Sequence, residues 1–336
     1  MSPDVRALRT VSGAFGNATP SDLPKATNLQ RTLKSPIGCS GIGLHSGARV
    51  AMKLHPAPIN TGITFKRIDL VGGGAEIPAR WDRIADSRMC TVLANENGIS
   101  VATVEHLMAA FYGMGVDNAL VELNGPEVPA MDGSAAPFIF LIECAGVVDQ
   151  NVPRQVLRIL EPIVYRNGNK EVSLTPSEDG LTLEFQIDFA AEAVGRQSCT
   201  FDIDTDVFKT EISKARTFGF LSDVTALREA GLARGGSLEN AIVVDGERVL
   251  NEDGLRHNDE FVRHKMLDAI GDLYLTGHRI IGHFHGTCSS HADTANLLRQ
   301  LFAKDSNWDL VDMPENGRIN RPKTWNQTLQ RQAAAQ

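Results

Sequence analysis

His264 and Asp268 stand four residues apart in His264-Lys265-Met266-Leu267-Asp268. On a helix, that spacing stacks two side chains one turn apart on one face. An imidazole and a carboxylate so placed can chelate one zinc ion. They can equally form a hydrogen-bonded pair on a solvated face, because a single pair is a weak signal. Glu105-His106 lies between Thr103-Val104 and Leu107-Met108, inside an apolar helical pattern. A carboxylate buried there is costly unless it is used or paired. One reading makes His106 a third zinc ligand and Glu105 a base beside the water the metal holds. The other leaves a surface Glu and a partly buried His. Two His and one carboxylate that leave a position open are the pattern of a catalytic zinc site, which acidifies water and polarises carbonyls. Neither HExxH nor the HxE…PCxxC signature of zinc deaminases occurs.

Asp272 follows Asp268 by one further turn, and His291 stands at the expected start of a later helix. A carboxylate that keeps an imidazole protonated makes a general acid. Alone, His291 reads as a capping or surface residue. His283 and His285 alternate on an expected strand and so share a face. They are either a second metal pair or partly buried strand residues.

Two parts of the chain must bring these groups together. The first carries strands near 30–33, 50–55 and 62–67, with a turn at 41–47. Apolar residues at helical spacing (Val104, Leu107, Met108, Phe111) predict a helix over 101–114. A strand at 117–123 follows. Met131-Asp132-Gly133-Ser134 then opens a helix to about 146, with Asp132 or Ser134 as cap and Pro137 in its first turn. After Asn151-Val152-Pro153 the pattern predicts strands at 156–159, 163–166, 171–175 and 181–189. Next come a helical stretch at 208–214, a short helix at 222–230, and a strand at 241–244. An amphipathic helix at 259–274, a strand at 280–286 and a helix at 289–302 close the series. Both halves end as strands, helix, strand, helix, so helix 101–114 corresponds to helix 259–274. Two similar α/β layers with a cleft between them are expected, and such interfaces favour binding sites. Residues 1–27 read as a disordered extension, 28–150 as the first domain, 151–305 as the second, and 306–336 as a polar tail.

The composition narrows the function classes. Hydrophobic residues make up 42% of the 336-residue chain and charged residues 22%, as in a globular protein. A formal net charge of -8 gives no electrostatic basis for nucleic-acid binding. The five cysteines are odd in number and scattered, which excludes a disulfide framework and points to a reducing compartment. No run of eighteen apolar residues occurs, and no secretory h-region precedes residue 27.

Five motifs in order resemble one family. They are Thr103-Val104-Glu105-His106-Leu107, Pro129-Ala130-Met131-Asp132-Gly133-Ser134-Ala135, Arg216-Thr217-Phe218-Gly219-Phe220, Val249-Leu250-Asn251-Glu252-Asp253-Gly254-Leu255-Arg256 and the long run from Phe261 to Leu273 that holds His264, Asp268 and Asp272. The likeness, from about 29 to about 302, is to the UDP-3-O-acyl-N-acetylglucosamine deacetylases of lipid A biosynthesis. It implies an α+β fold of two similar two-layer α/β sandwich domains, of the ribosomal protein S5 domain 2-like kind, packed with the active site between them. It implies Zn2+ on His106, His264 and Asp268, with Glu105 as general base and His291 as general acid partnered by Asp272. Thr217 resembles the hydroxyl that holds the developing oxyanion. Lys265 would face the substrate, at its diphosphate, and Phe189 resembles the aromatic that packs on uracil, with Phe218 nearby in the substrate site. Leu221, Val224, Leu227 and Val243 map to an apolar passage for the acyl chain, although from their pattern alone they read as ordinary core.

The reaction so implied is hydrolysis of the 2-acetamido group, with release of acetate. The expected partner is the UDP-linked acylated amino sugar; nucleic-acid partners and stable membrane insertion are not expected. A cytoplasmic monomer is expected. The family often has Lys three residues before the general-acid His and Gly just before it; this chain has Cys288 and Ser290. Two other readings remain: a zinc amidohydrolase for another acylated amine, and a sugar-nucleotide-binding protein without catalysis.

Overall fold

The computed structural model describes residues 28–70 and 76–313, so the extension before residue 28 and the tail beyond 313 lie outside the described residues. The fold is mixed α and β. A five-stranded sheet runs in the order Ile37–Ile42, Arg49–Pro56, Ala119–Leu123, Ile63–Arg67, Glu76–Pro78. Helix α1 (Glu105–Met114) and helix α2 (Ala136–Ala145) belong to this part of the chain. Arg49–Pro56 alternates buried and exposed residues, so Val50, Met52 and Leu54 enter the core from one face.

The second sheet has seven strands. Its central strand, Arg279–Thr287, pairs in parallel with Gln155–Ile159 and with Leu181–Asp188, and antiparallel with Lys170–Thr175. Ile163–Asn167, Arg196–Asp202 and Trp308–Asp312 complete it. Between the strands run a single turn, α3 (Thr205–Val207), and the wide helical turn Phe208–Ile212. The Asp204 side chain caps that turn by accepting from Val207 N at 2.8 Å.

A separate three-stranded sheet follows: Phe218–Phe220 leads through α4 (Leu221–Glu229) to Ile242–Asp245, which pairs parallel with it and antiparallel with Arg248–Val249. Helix α5 (Glu260–Leu273) packs on Leu181–Asp188 and Arg196–Asp202, and helix α6 (His291–Phe302) on Ile163–Asn167 and Lys170–Thr175. Helix α1 packs along α5, and both are buried for nearly their whole length. One continuous apolar cluster joins Leu54 and Phe65 of the first sheet, Phe111 of α1, Phe261 of α5 and Phe284 of the second sheet. Among the described residues, no helix is long and apolar enough to cross a membrane.

Several boundaries differ from the sequence reading. The expected helix over 101–114 starts only at Glu105, because Ser100–Val101 is a strand and Thr103 has φ 58°. A β-branched residue in the left-handed region is strained, and the Thr103 hydroxyl is tied to Glu127 Oε1 at 2.8 Å. The helix expected from 131 starts at Ala136, and of the two expected caps Ser134 meets its first N–H: Ser134 Oγ accepts from Ala136 N at 3.2 Å, one residue before the N-cap position Ala135. Asp132 supports it at one remove, its Oδ1 accepting from Ser134 N and Oγ at 3.0 and 2.8 Å. Val147–Pro153 is a strand paired antiparallel with Leu29–Leu33, so it crosses the expected boundary at 150. Trp308–Asp312, within the stretch read as a tail, pairs with Gln155–Ile159.

Candidate active site

Helices α1 and α5 lie side by side, and their contact sets the site. Glu105 and His106 open α1. His264, Asp268 and Asp272 rise along one face of α5 at successive four-residue steps, and all are buried. Ligand atoms of His106, His264 and Asp268 lie within 4.8 Å of one another. Asp268 Oδ1 is 3.4 Å from His106 Nε2 and 3.3 Å from His264 Nε2. It is shielded from solvent and has no hydrogen-bond partner. A buried carboxylate oxygen in that state needs an explanation, and a cation supplies one. Tetrahedral bonds of about 2.0–2.1 Å to N and O ligands place those ligands roughly 3.3 Å apart, which is the spacing seen from Asp268 to each imidazole. The donor set therefore fits zinc.

Local hydrogen bonds orient these groups. His264 Nδ1 faces the Ala215 carbonyl at 3.1 Å, and a carbonyl only accepts, so the proton sits there and Nε2 offers its lone pair to the site. Burial pushes His264 down to about 4, which keeps the ring neutral as a ligand must be. Burial also works against charge on Asp268, but His264 and Lys265 beside it hold the carboxyl well below the usual range. Lys265 Nζ donates to Asp268 Oδ2 at 2.8 Å. The ammonium expected to face the substrate is thus engaged with the metal-site carboxylate.

The residues expected as acid and base stand close together beside this cluster. His291, the first residue of α6, places Nε2 3.8 Å from Glu105 Oε1 and 3.8 Å from Asp268 Oδ2. Its Nδ1 lies 2.7 Å from Asp272 Oδ2. Burial disfavours the charged ring, yet Asp272, Glu105 and Asp268 outweigh it and raise His291 to about 9. Burial raises Glu105 above the usual carboxylate range, against the pull of His291 and His106. One group is thus poised to hold a proton and the other to accept one.

A cavity of about 430 Å3 opens on this cluster and is lined by Glu105, His106, Thr217, Phe218, His264 and His291. Leu221, Val224, Leu227 and Val243 line the same cavity. None of the residues of α4 is buried and Val243 is half-buried, so these side chains are not core. A second cavity, about 500 Å3, shares Thr217, Asp268 and His291 and adds Lys265, Phe189 and Cys288. Phe189, Phe218 and Phe220 form a ring cluster there, with centroids 5.5 to 6.2 Å apart.

The motifs around Thr217 are held by one buried carboxylate. Glu260 accepts from Arg216 N at 3.0 Å, from the Arg216 guanidinium at 2.9 and 3.1 Å, and from Arg256 N at 2.6 Å. Thr217 itself is pinned by its backbone, donating to Gly133 O and accepting from Ile242 N, each at 2.8 Å. A Cβ on Gly133 would lie 2.1 Å from the Asn240 carbonyl oxygen, so glycine is required for this approach.

Sequence reasoning missed three groups. Thr91 donates its N–H to Glu105 Oε2 at 3.0 Å and its hydroxyl to Asp272 Oδ1 at 2.6 Å, so it braces base and acid partner together. Glu127, buried, accepts from His45 N, Ser46 N and Thr103 Oγ1 at 2.8–2.9 Å. His45 lines the first cavity, with Glu105 and His106, and burial lowers its pKa despite Glu127. The only signal for His45 was a histidine in the glycine-rich stretch 41–47; Thr91 gave none.

Residues 30–303 match the family model described as UDP-3-O-acyl N-acetylglycosamine deacetylase. The chain is 52% identical over 288 residues to the UDP-3-O-acyl-N-acetylglucosamine deacetylase of Acidithiobacillus ferrooxidans, a match covering 85% of this chain and 94% of that protein. It is 47% identical over 288 residues to the protein of the same name from Idiomarina loihiensis, with 85% and 94% covered. A Shewanella relative of that name is 46% identical over 293 residues, with 87% and 95% covered.

Proposed function

The chain belongs to the UDP-3-O-acyl N-acetylglycosamine deacetylase family, and on that premise we propose that it hydrolyses the acetamido group of UDP-3-O-acyl-N-acetylglucosamine, giving the free amine and acetate for lipid A biosynthesis. One observation carries this reading: the three candidate metal ligands, the raised His291 and the raised Glu105 all open on the cavity that also holds the apolar side chains of α4.

His106, His264 and Asp268 would hold zinc, which when bound would polarise a carbonyl and acidify water. Glu105 takes the proton from the attacking water as its oxygen bonds to the acetamido carbon. Thr217 donates its hydroxyl to the oxyanion that develops on the carbonyl oxygen, from a position its backbone bonds fix. His291 gives its Nε2 proton to the departing nitrogen as the C–N bond breaks, and Asp272 stabilises the imidazolium before transfer. Phe189 and Phe218 supply apolar surface for the nucleotide side of the substrate. Lys265 first orients Asp268 and so reaches the diphosphate only as a nearby charge. Leu221, Val224, Leu227 and Val243 receive the acyl chain.

The reading takes the two sheets, each with its own helices, as similar two-layer sandwiches that meet where α1 packs along α5. A cytoplasmic monomer fits the reading. The test is acetate release by the purified protein from the acylated UDP-sugar, with and without chelator. Turnover abolished by chelator and restored by zinc is expected. Tight binding of the sugar nucleotide without acetate release would reject catalysis, and equal turnover of simple N-acetyl amines would reject the substrate.

A further inference from the structure

The outer face of the seven-stranded sheet carries a second constellation of metal-ligating side chains. His283 and His285 alternate with the buried Gly282, Phe284 and Gly286 on the central strand, so both imidazoles emerge on the side away from the core. Glu184 is the register partner of His285 on the neighbouring parallel strand. Its Oε2 lies 3.5 Å from His283 Nε2 and 3.5 Å from His285 Nδ1, so one carboxylate oxygen sits between two imidazoles.

Two features repeat what marks the catalytic cluster. His283 Nε2 is shielded from solvent and has no hydrogen-bond partner, as Asp268 Oδ1 has none. His285 is oriented through its other nitrogen: Nε2 meets Thr287 Oγ1 at 2.9 Å, as His264 Nδ1 meets the Ala215 carbonyl. A hydroxyl can accept or donate; in the tautomer that gives Nε2–H to it, Nδ1 is the lone-pair nitrogen on the Glu184 side. The carboxylate-to-imidazole spacing of 3.5 Å is close to the roughly 3.3 Å expected between ligands on one tetrahedral ion. The side chains of His283, His285 and Glu184 are 38%, 33% and 44% exposed, so a cation can enter from solvent and keep water as its remaining ligand. The arrangement is looser than the buried one, because the two imidazole nitrogens flank the carboxylate and stand farther apart than the ligand atoms of the catalytic cluster; holding one ion would require the rings to turn toward each other.

We propose that His283, His285 and Glu184 form a second binding site for an imidazole-preferring divalent cation of the zinc class, on the open face of the sheet and separate from His106, His264 and Asp268. Two neutral imidazoles and one carboxylate suit zinc, nickel or copper and disfavour magnesium or calcium, which take oxygen ligands.

The test is zinc stoichiometry on the full, metal-stripped chain, titrated against a chromophoric chelator, a readout independent of deacetylation. Wild type should take up two equivalents, the second more weakly. The double variant His283→Ala/His285→Ala should keep the first and lose the second, and the retained first equivalent reports that it has folded. Glu184→Gln should weaken the second at least tenfold. His291→Ala should still bind two. Uptake of a single equivalent by wild type, a second equivalent that survives in the double variant or is unchanged in Glu184→Gln, or one that disappears in His291→Ala would each overturn the site.

Discussion

Asp272 Oδ2 lies 2.7 Å from His291 Nδ1, while its other oxygen accepts the Thr91 hydroxyl at 2.6 Å. The carboxylate therefore has one oxygen committed to the imidazole and one to the loop that also holds Glu105. Proton affinity at the site depends on this arrangement, and so should the pH profile.

His291 must carry its proton and Glu105 must have lost its own, which gives a bell-shaped kcat/KM. Burial raises Glu105, so the acidic limb should lie above the ordinary carboxylate range; activity falls there as pH drops and the base is protonated. The basic limb should lie near 9, where His291 gives up its proton and activity falls as pH rises. Asp272 is the largest of the charges that raise His291, so Asp272→Asn should move the basic limb to lower pH and leave the acidic one nearly in place. Glu105→Gln should abolish the acidic limb along with most turnover. A basic limb that stays put in Asp272→Asn would remove Asp272 from the role given to it.

Thr91→Val keeps the backbone N–H that Glu105 accepts and deletes only the hydroxyl held by Asp272. A hydrogen bond to a charged group contributes about 1.5–3 kcal/mol. The expected result is a loss of roughly 10–100-fold in kcat with KM little changed, since Thr91 does not line either cavity at the site. Steady-state kinetics decide this: a change confined to KM contradicts the bracing role.

The chemistry was more legible than its support. HxxxD spacing on a strongly periodic helix placed His264 and Asp268 together, because helical geometry alone fixes that relation. The partnership of His106 with them was one of two open readings until the resemblance favoured it, since it depends on α1 packing along α5, far away in sequence. Thr91 was invisible for the same reason: its hydroxyl reaches Asp272 across 181 positions of chain. Among the strands missed were Ile37–Ile42, Arg196–Asp202 and Trp308–Asp312. Each lies at the edge of its sheet and none contains a fully buried residue. Without a buried face, no apolar alternation is imposed on the sequence. Thr103 hid the true start of α1, because Val101 and Val104 continue the helical period through a residue whose backbone is not helical.

Lys265 tests how the outer contacts of the metal site matter. Its ammonium donates to Asp268 Oδ2, and groups that orient a ligand carboxylate commonly affect metal affinity or activity by about 10–100-fold when removed. Lys265→Met should therefore weaken zinc retention against a chelator by roughly that factor. If Lys265 served the substrate diphosphate alone, KM would rise and zinc affinity would be unchanged. Measuring both quantities on the same variant separates the two contributions.

The last expectation concerns α4. From the sequence, Leu221, Val224 and Leu227 read equally as core, and core residues cannot be cut back without loss of stability. In the fold no residue of α4 is buried, and Leu221 is 45% exposed. These side chains instead face the cavity shared with the metal ligands, opposite Val243 of the returning strand. Their apolar surface is thus left for a ligand to cover. Each methylene of an acyl chain buried there contributes about 0.8 kcal/mol, so several amount to orders of magnitude in kcat/KM. A substrate lacking the 3-O-acyl group should lose that much. Leu227→Ser should reduce kcat/KM for the acylated sugar, leave the residual rate on the unacylated sugar unchanged, and shift the unfolding midpoint little. The paired measurement distinguishes the readings: a large drop in stability with equal losses on both substrates would return α4 to the core, whereas a loss confined to the acylated substrate places the acyl chain against it.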